Sequence, residues 1–276
     1  MQLAAVQMDV TLAAIEKNRD RVTEWTTQAA RNGADLIVFP ECALTGYCFE
    51  SREEANDSAM TVDDPRWKPL LECVANNKVH ISLGFLEKTP EGSLFNASVL
   101  IGPDGMVGGY RKIHLPQLGV DQFVDRGDKE YAPLPAGDAN VGLAICYDSS
   151  FPEPMRVLGL AGADIIALST NWPVAAARTA EIVPPARSME NHLYFVAANR
   201  VGHERNFDFC GLSSICGPDG IELARAADDS EQILYATADL KLARSKRIER
   251  TVGAHVIDRF ADRRPEFYKS IIEKKT

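Results

Sequence analysis

The hexapeptide Gly33-Ala34-Asp35-Leu36-Ile37-Val38 returns later in the chain as Gly162-Ala163-Asp164-Ile165-Ile166-Ala167. In each copy a glycine ends a helical stretch and a short apolar run follows, the pattern of a strand buried on both faces. A second pair of matches comes in the same order: Gly102-Pro103-Asp104-Gly105 recurs as Gly217-Pro218-Asp219-Gly220, where Pro and Gly supply the backbone geometry of a hairpin. Either match alone is ordinary α/β punctuation; the two together predict an internal pseudo-twofold. Working outward from the hexapeptide, Gln2–Met8 reads as a strand, Thr11–Asn32 as a helix, and Leu36–Phe39 as a buried strand. Asp64–Lys78 reads as a helix, His80–Phe85 as a strand, and Ser98–Ile101 with Met106–Arg111 as a hairpin. Asn140–Ile145 is a further strand, with a helix expected after Phe151-Pro152-Glu153. The expected fold is α/β: two sheets face to face with helices outside, a four-layer αββα sandwich with pseudo-twofold symmetry, one domain over residues 1–276. The segment 240–276 changes character and carries many Lys and Arg residues. It is expected to run over the surface as a tail, either onto a second subunit or as a frayed end.

Composition narrows the class of function. Of 276 residues, 45% are hydrophobic and 25% charged, enough apolar side chain to offset the entropy of ordering a chain of this length. With 30 Lys and Arg against 39 Asp and Glu, the net charge is -9. That argues against a nucleic-acid partner, since phosphate-backbone binding draws on clustered cations. The opening MQLAAVQMDV has neither a basic n-region nor a long apolar core and reads as a strand rather than a leader. No run is long and apolar enough for a membrane helix. Six cysteines without CxxC spacing, and five histidines that do not cluster with them, point to reduced thiols in the cytoplasm and to no metal site.

Three reactive residues stand where apolar strands end, the place where α/β folds collect their sites. Glu41 follows Phe39-Pro40, Lys112 follows Tyr110-Arg111, and Cys146 follows Ile145. Each has a plain alternative. Glu41 could be a surface carboxylate opening a loop, Lys112 a solvated cation, and Cys146 a small buried hydrophobe. Held in a cleft, the same three side chains would supply a base, a fixed charge and a nucleophile. His114, two residues after Lys112, reads as a neighbour of such a site or a structural histidine.

Glu41 in FPECALTGY, Lys112 in YRKIHLP and Cys146 in ICYDSSFPE resemble, in order and spacing, the three signature segments of the nitrilase, or carbon-nitrogen hydrolase, superfamily. The flanks AAVQ, GADLIVFPE, Asn96-Ala97-Ser98, GADIIALSTNWP and Ala186-Arg187-Ser188-Met189-Glu190-Asn191 extend the likeness from about Gln2 to Leu240. The resemblance implies the αββα sandwich, a homodimer or a higher assembly of dimers, and an amidase that needs no cofactor and acts on a small linear amide. It also implies roles: Cys146 attacks the carbonyl to form a thioester, Glu41 moves the protons, and Lys112 with the Tyr147 backbone N–H stabilises the oxyanion. The family often carries a second glutamate in the loop after the lysine. Here Gln117–Phe123 contains none, and Asp121 is the candidate second acid, one methylene shorter. Cys146-Tyr147-Asp148 resembles the amidase branches, where true nitrilases usually show Cys-Trp-Glu. Ser149 and Ser150 stand where many branches place an arginine, suggesting an uncharged substrate tail. Asn171 and Trp172 are candidates for the pocket wall, core packing being the other reading of the tryptophan, and Arg187 and Glu190 are read as braces of the fold or dimer. An N-carbamoyl amide hydrolase, a nitrilase and a catalytically silent assembly module remain as alternatives.

Overall fold

In the computed structural model, which describes residues 1–273, the chain runs through two successive units of one design. The first comprises β1 (Gln2–Gln7), α1 (Ile15–Arg31), β2 (Leu36–Val38), a short α2 (Arg52–Asp57), α3 (Lys68–Asn77), β3 (His80–Lys88), and the hairpin of β4 (Leu94–Gly102) and β5 (Gly105–Arg111). The second begins with β6 (Leu134–Ala136), β7 (Ala139–Ile145), α4 (Pro152–Leu160), β8 (Ile165–Thr170), α5 (Ala177–Asn191) and β9 (Tyr194–Asn199). A small ribbon, β10 (His203–Glu204) with β11 (Phe207–Asp208), leads to the hairpin of β12 (Ser214–Cys216) and β13 (Glu222–Arg225). Then come β14 (Gln232–Thr237), α6 (Leu240–Arg244), and the ribbon of β15 (Arg247–Thr251) and β16 (His255–Asp258).

The strands form two six-stranded sheets, ordered β14-β1-β2-β3-β4-β5 and β13-β12-β9-β8-β7-β6. They correspond strand by strand. β1, β2 and β3 are parallel, as are β7, β8 and β9, and an antiparallel hairpin follows each set. The remaining edge is antiparallel in both: β14 on β1, β6 on β7. The repeated hexapeptide is the physical origin of this likeness. Gly33 and Gly162 take φ of 84° and 93°, a left-handed turn at the helix end that glycine adopts without a Cβ penalty. The Asp35 carboxylate then accepts the N–H of Gln2 at 2.6 Å, and the Asp164 carboxylate accepts the N–H of Asn140 at 2.9 Å. Their backbones tie the third strand, with His80 N–H on Asp35 O at 2.8 Å and Tyr194 N–H on Asp164 O at 3.0 Å. One short motif therefore sets the register of three strands, twice.

Two-residue alternation decides what lies between the layers. Leu3, Ala5, Leu36 and Val38 of the first sheet pack with Val141, Leu143, Ile165 and Ala167 of the second. The alternate residues Ala4, Val6, Ile37, Ile81 and Leu83 meet Val22, Ala29, Leu70 and Val74 of α1 and α3. Met155, Leu158 and Ala180 of α4 and α5 cover the second sheet. The result is the four-layer αββα sandwich.

Local expectations were adjusted by side chains from elsewhere. Helix α1 starts at Ile15 rather than Thr11, because the Asn18 side chain accepts the Thr11 N–H at 3.0 Å and donates to Thr11 O at 2.7 Å and Leu44 O at 3.0 Å. The first four residues are thereby held as a turn against the loop after β2. The segment after Leu240 is not a surface tail from its first residue. Ala243 is fully buried, and Arg244 pairs with both Asp164 oxygens at 2.9 and 2.8 Å. The other faces of α6 and most of the β15–β16 ribbon are exposed, and residues 274–276 of the expected tail lie outside the described residues. Among the described residues no helix is long and apolar enough to cross a membrane.

Candidate active site

β2, β5 and β7 end at residues with reactive neighbours, and strand packing dictates how closely they approach. After β2 the chain turns through Pro40-Glu41-Cys42 directly over β3. A Cβ on Gly84 would stand 2.6 Å from Glu41 Cα and 2.3 Å from Cys42 N, so only glycine allows this turn to seat, and Gly84 N–H closes it on Pro40 O at 3.1 Å. Lys112 follows β5 with its N–H on Asn96 O at 2.8 Å. Cys146 ends β7 and opens the 3-10 turn Cys146–Ser150 with φ of 42°, a left-handed conformation uncommon for a residue with a side chain. Asp148 clamps that elbow. Its Oδ2 accepts the Ile145 N–H at 3.0 Å and the Tyr110 hydroxyl at 2.9 Å, and its Oδ1 accepts Tyr131 at 3.2 Å and lies 2.7 Å from His114 Nδ1.

Opposite the elbow is a charge cluster that is sealed from solvent. The Lys112 ammonium lies 2.6 Å from Glu41 Oε1 and 2.6 Å from Asp121 Oδ2, with all three side chains at 0% exposure. Asn96 Nδ2 donates to both carboxylates, at 2.7 Å to Glu41 Oε1 and 2.8 Å to Asp121 Oδ1. Tyr47 donates its hydroxyl to Asp121 Oδ2 at 2.8 Å. Glu41 Oε2 alone is left buried with no partner. One cation and two carboxylates carry one net negative charge into a low-dielectric site, where such charges act strongly. Burial, and after it the Asp121 charge, push Glu41 above its ordinary value, against the pull of Lys112. Burial works against the Lys112 ammonium too, yet Asp121 and Glu41 override it and hold its proton well beyond the usual lysine range. The Cys146 thiol is pushed up to about 12, by burial first and then by Glu41, while Lys112, the Thr170 hydroxyl and the Asn171 N–H favour the thiolate. At rest the site therefore holds a neutral thiol, a fixed cation, and a carboxylate of raised basicity with one free oxygen.

The carbon-nitrogen hydrolase family model matches residues 2–248. This chain belongs to that family. A nitrilase from Pyrococcus abyssi is 38% identical to this hydrolase over 269 residues, covering 97% of this chain and 99% of that one. A carbon-nitrogen hydrolase from Helicobacter pylori superposes with a TM-score of 0.88 at 23% identity, covering 100% of this chain and 99% of the other. An amidase from Nesterenkonia superposes with a TM-score of 0.80 at 21% identity, covering 99% and 100%. That structure is a glutamate-to-glutamine variant with acrylamide joined by Michael addition to the active-site cysteine.

In this hydrolase the fold brings Glu41, Lys112 and Asp121 into direct contact, and the charges of Glu41 and Lys112 bear on the Cys146 thiol. The shorter Asp121 reaches Lys112 without a relay. Tyr147 is partly exposed, its ring edge-on to Phe151 at 5.1 Å. Asn171 is buried with neither side-chain polar atom paired. Trp172 is buried in the hydrophobic core, its backbone N–H on Asn199 Oδ1 at 2.8 Å. Arg187 braces the elbow, donating to Ser149 O at 2.9 Å and pairing with Glu190 at 3.1 Å. One expectation is corrected here. The buried Ser149 hydroxyl donates to Cys146 O at 2.6 Å, so it is consumed inside the turn and says nothing of a substrate tail. His114 stacks on Phe151 at 4.1 Å and serves the Asp148 clamp. Sequence reasoning passed over Tyr47, Asn96 and Gly84 as site residues, although the first two stand inside segments already singled out. Among the described residues no group of three or more His, Cys, Asp or Glu side chains could hold a metal ion.

Proposed function

We propose that this hydrolase is a cysteine-dependent amidohydrolase that cleaves the C–N bond of a small linear amide through a thioester and releases ammonia. The observation that carries this reading is the buried Lys112 ammonium held between Glu41 and Asp121, with Glu41 Oε2 unpartnered and a neutral thiol across from it. Because the thiol is neutral at rest, its proton leaves as sulfur attacks: Glu41 Oε2 takes it while the Cys146 Sγ–carbon bond forms. The carbonyl π electrons move to oxygen, and that oxyanion is met by Lys112 and the Tyr147 N–H. The C–N bond then breaks as Glu41 passes the proton to nitrogen, and ammonia leaves. Glu41 next takes a proton from water, whose oxygen attacks the thioester; the acid departs and the proton returns to sulfur. Asp121 acts as the second carboxylate by keeping Lys112 charged and in place, and Asn171 is a candidate contact for the substrate. Lysine suits the oxyanion role as a compact point charge.

Amides are favoured over nitriles by the Cys146-Tyr147-Asp148 run. The nitrile reading is the second one, since the 38% identical relative is a nitrilase. A panel of amides, N-carbamoyl amines and nitriles, scored for ammonia and carbon dioxide with the acyl adduct followed by mass, decides among them. Ammonia from amides with an acyl group on Cys146 is expected. Carbon dioxide would turn the reading to carbamoyl hydrolysis, turnover of nitriles alone would turn it to a nitrilase, and no adduct with any of them would overturn it.

The same proposal includes a homodimer. It is supported by the apolar surface along α4 and the segment after α6: Val157 and Leu160 are 45% exposed, Phe267 71% and Ile272 87%. A cleft of about 870 Å³ between α4 and residues 259–272 is lined by several of these side chains. Sedimentation should give twice the chain mass, and a monomer at micromolar concentration would refute it.

A further inference from the structure

The loop that carries Asp121 is shaped on one side chain. Val120 N–H donates to Tyr47 O at 2.8 Å, and the single Tyr47 hydroxyl proton faces two acceptors, Asp121 Oδ2 at 2.8 Å and Leu118 O at 3.0 Å. Gly119 takes φ of 49°, and a Cβ there would stand 2.4 Å from the Tyr47 ring. The loop thus lies flat on the ring, and this close seating lets an aspartate reach Lys112. Tyr47 in turn is held from the other half of the chain. Glu204 Oε2 accepts the N–H groups of Tyr47 and Cys48 at 2.9 and 2.6 Å, and its Oε1 accepts Arg200 Nη1 at 2.8 Å. Arg200 is fully buried, donates to Asp9 Oδ1 at 2.9 Å and Val10 O at 2.7 Å, and lies 4.3 Å from the centre of the Phe209 ring.

A buried ion pair is weak grounds for stability, because desolvation offsets much of its attraction. Here the Glu204 side of the pair leads toward the site: two backbone donors of Tyr47-Cys48, then the Tyr47 hydroxyl, then the carboxylate that holds Lys112. We infer that the Arg200–Glu204 pair is a positioning element for catalysis, acting through Tyr47 on Asp121 and Lys112. The second unit thereby sets the geometry of the charge cluster on the first. The inference rests on the reading of Lys112 as the oxyanion's partner.

The test uses Glu204→Gln, which keeps the shape and removes the charge, and Tyr47→Phe, which removes only the hydroxyl. A catalytic group misplaced by about an ångström can cost on the order of a hundredfold in rate; kcat should fall at least tenfold in each variant, with KM changed less than threefold. The acid limb of kcat/KM, set by Glu41, should move to higher pH in Tyr47→Phe, because a displaced Lys112 pulls less on the Glu41 carboxylate that burial already raises. In the double variant Glu204→Gln should add little to Tyr47→Phe, as expected for residues acting in one chain. If Glu204→Gln fails to fold, Tyr47→Phe decides alone through kcat and the pH profile. Wild-type kcat and pH profile in Tyr47→Phe, or losses that multiply in the double variant, would overturn the inference. Failure of the parent reading is told apart by the wild-type enzyme, which would then form no acyl adduct at all.

Discussion

At the end of β2 the first unit places Glu41; at the same register of the second unit, the end of β8, stands Thr170. One residue beyond β1 is Met8, where the second unit has Cys146 beyond β7. The scaffold is duplicated, but the chemistry is divided. The first sheet and its loops contribute the charges Glu41, Lys112 and Asp121, and the second contributes the thiol among neutral polar groups, Thr170 and Asn171. The division has a consequence for reactivity. Within its own unit Cys146 meets only burial, a hydroxyl and a backbone amide, which leave it a neutral thiol. The charged side chains that act on it lie across the interface between the sheets.

The sharpest way to break the comparison is to exchange the paired strand-end residues. Cys146→Ala should fold, dimerise and release no ammonia; loss of a catalytic nucleophile costs on the order of 10⁶-fold in kcat. Met8→Leu, at the mirrored buried position, should cost less than about 1.5 kcal/mol of stability and leave turnover near wild type, since the swap conserves volume. Ammonia release and urea melts on both variants check this, and residual turnover in the alanine variant would remove Cys146 from its role.

Next is the other mirrored pair. Glu41→Gln keeps the shape and removes the base, a change worth about 10²- to 10⁴-fold, and mass spectrometry should find little thioester with an amide. Slow alkylation of Cys146 by iodoacetamide should persist, because that reaction needs no proton delivered to a leaving nitrogen. Thr170→Val should leave kcat within several-fold of wild type, since the Thr170 hydroxyl is buried without a hydrogen-bond partner and bears on the thiol only as a neighbouring dipole. Near wild-type thioester formation in Glu41→Gln would leave Glu41 as a structural carboxylate.

The pH dependence sharpens the same division. Glu41 works as the ionised base and burial raises its pKa, so kcat/KM should fall on the acid side with a midpoint above the ordinary 4.5. Alkylation of Cys146 should keep rising through the neutral range toward a midpoint of about 12. A plateau at neutral pH would mean a resting thiolate and a different first step.

The smallest effect concerns the repeated aspartates. Asp35→Ala removes one accepted backbone N–H, worth about 1 kcal/mol. Asp164→Ala removes the equivalent bond and also the Arg244 pair. It should cost more than Asp35→Ala, since the buried Asp164 carboxylate holds a second partner as well as the backbone N–H. Equal urea midpoints for the two variants would show that α6 adds nothing to the second unit.

Much of this was legible in the chain because it is local. Alternation, helix stops and hairpin turns are written within a few residues, and the Gly-Ala-Asp repeat revealed the two units before any contact was known. Glu41, Lys112 and Cys146 stood out because a reactive side chain directly after an apolar strand is itself a local pattern. The start of α1 was misjudged because Asn18 holds Thr11 against Leu44, a contact that spans a loop. Ser149 was misjudged because a hydroxyl's direction depends on the turn that contains it.

The sequence by itself determined the layered α/β architecture and its internal symmetry, since both follow from periodicity and short segments, and it singled out Glu41, Lys112 and Cys146 as candidates through their place after apolar strands and their resemblance to the family's signature segments. Only the tertiary structure decided that Asp121 reaches Lys112, that Asn96 and Tyr47 hold it there, and that the pKa values of Glu41 and Cys146 are raised. Desolvation and Coulomb interaction depend on what lies within a few ångströms, and here those neighbours come from opposite sheets and from loops far apart in the chain.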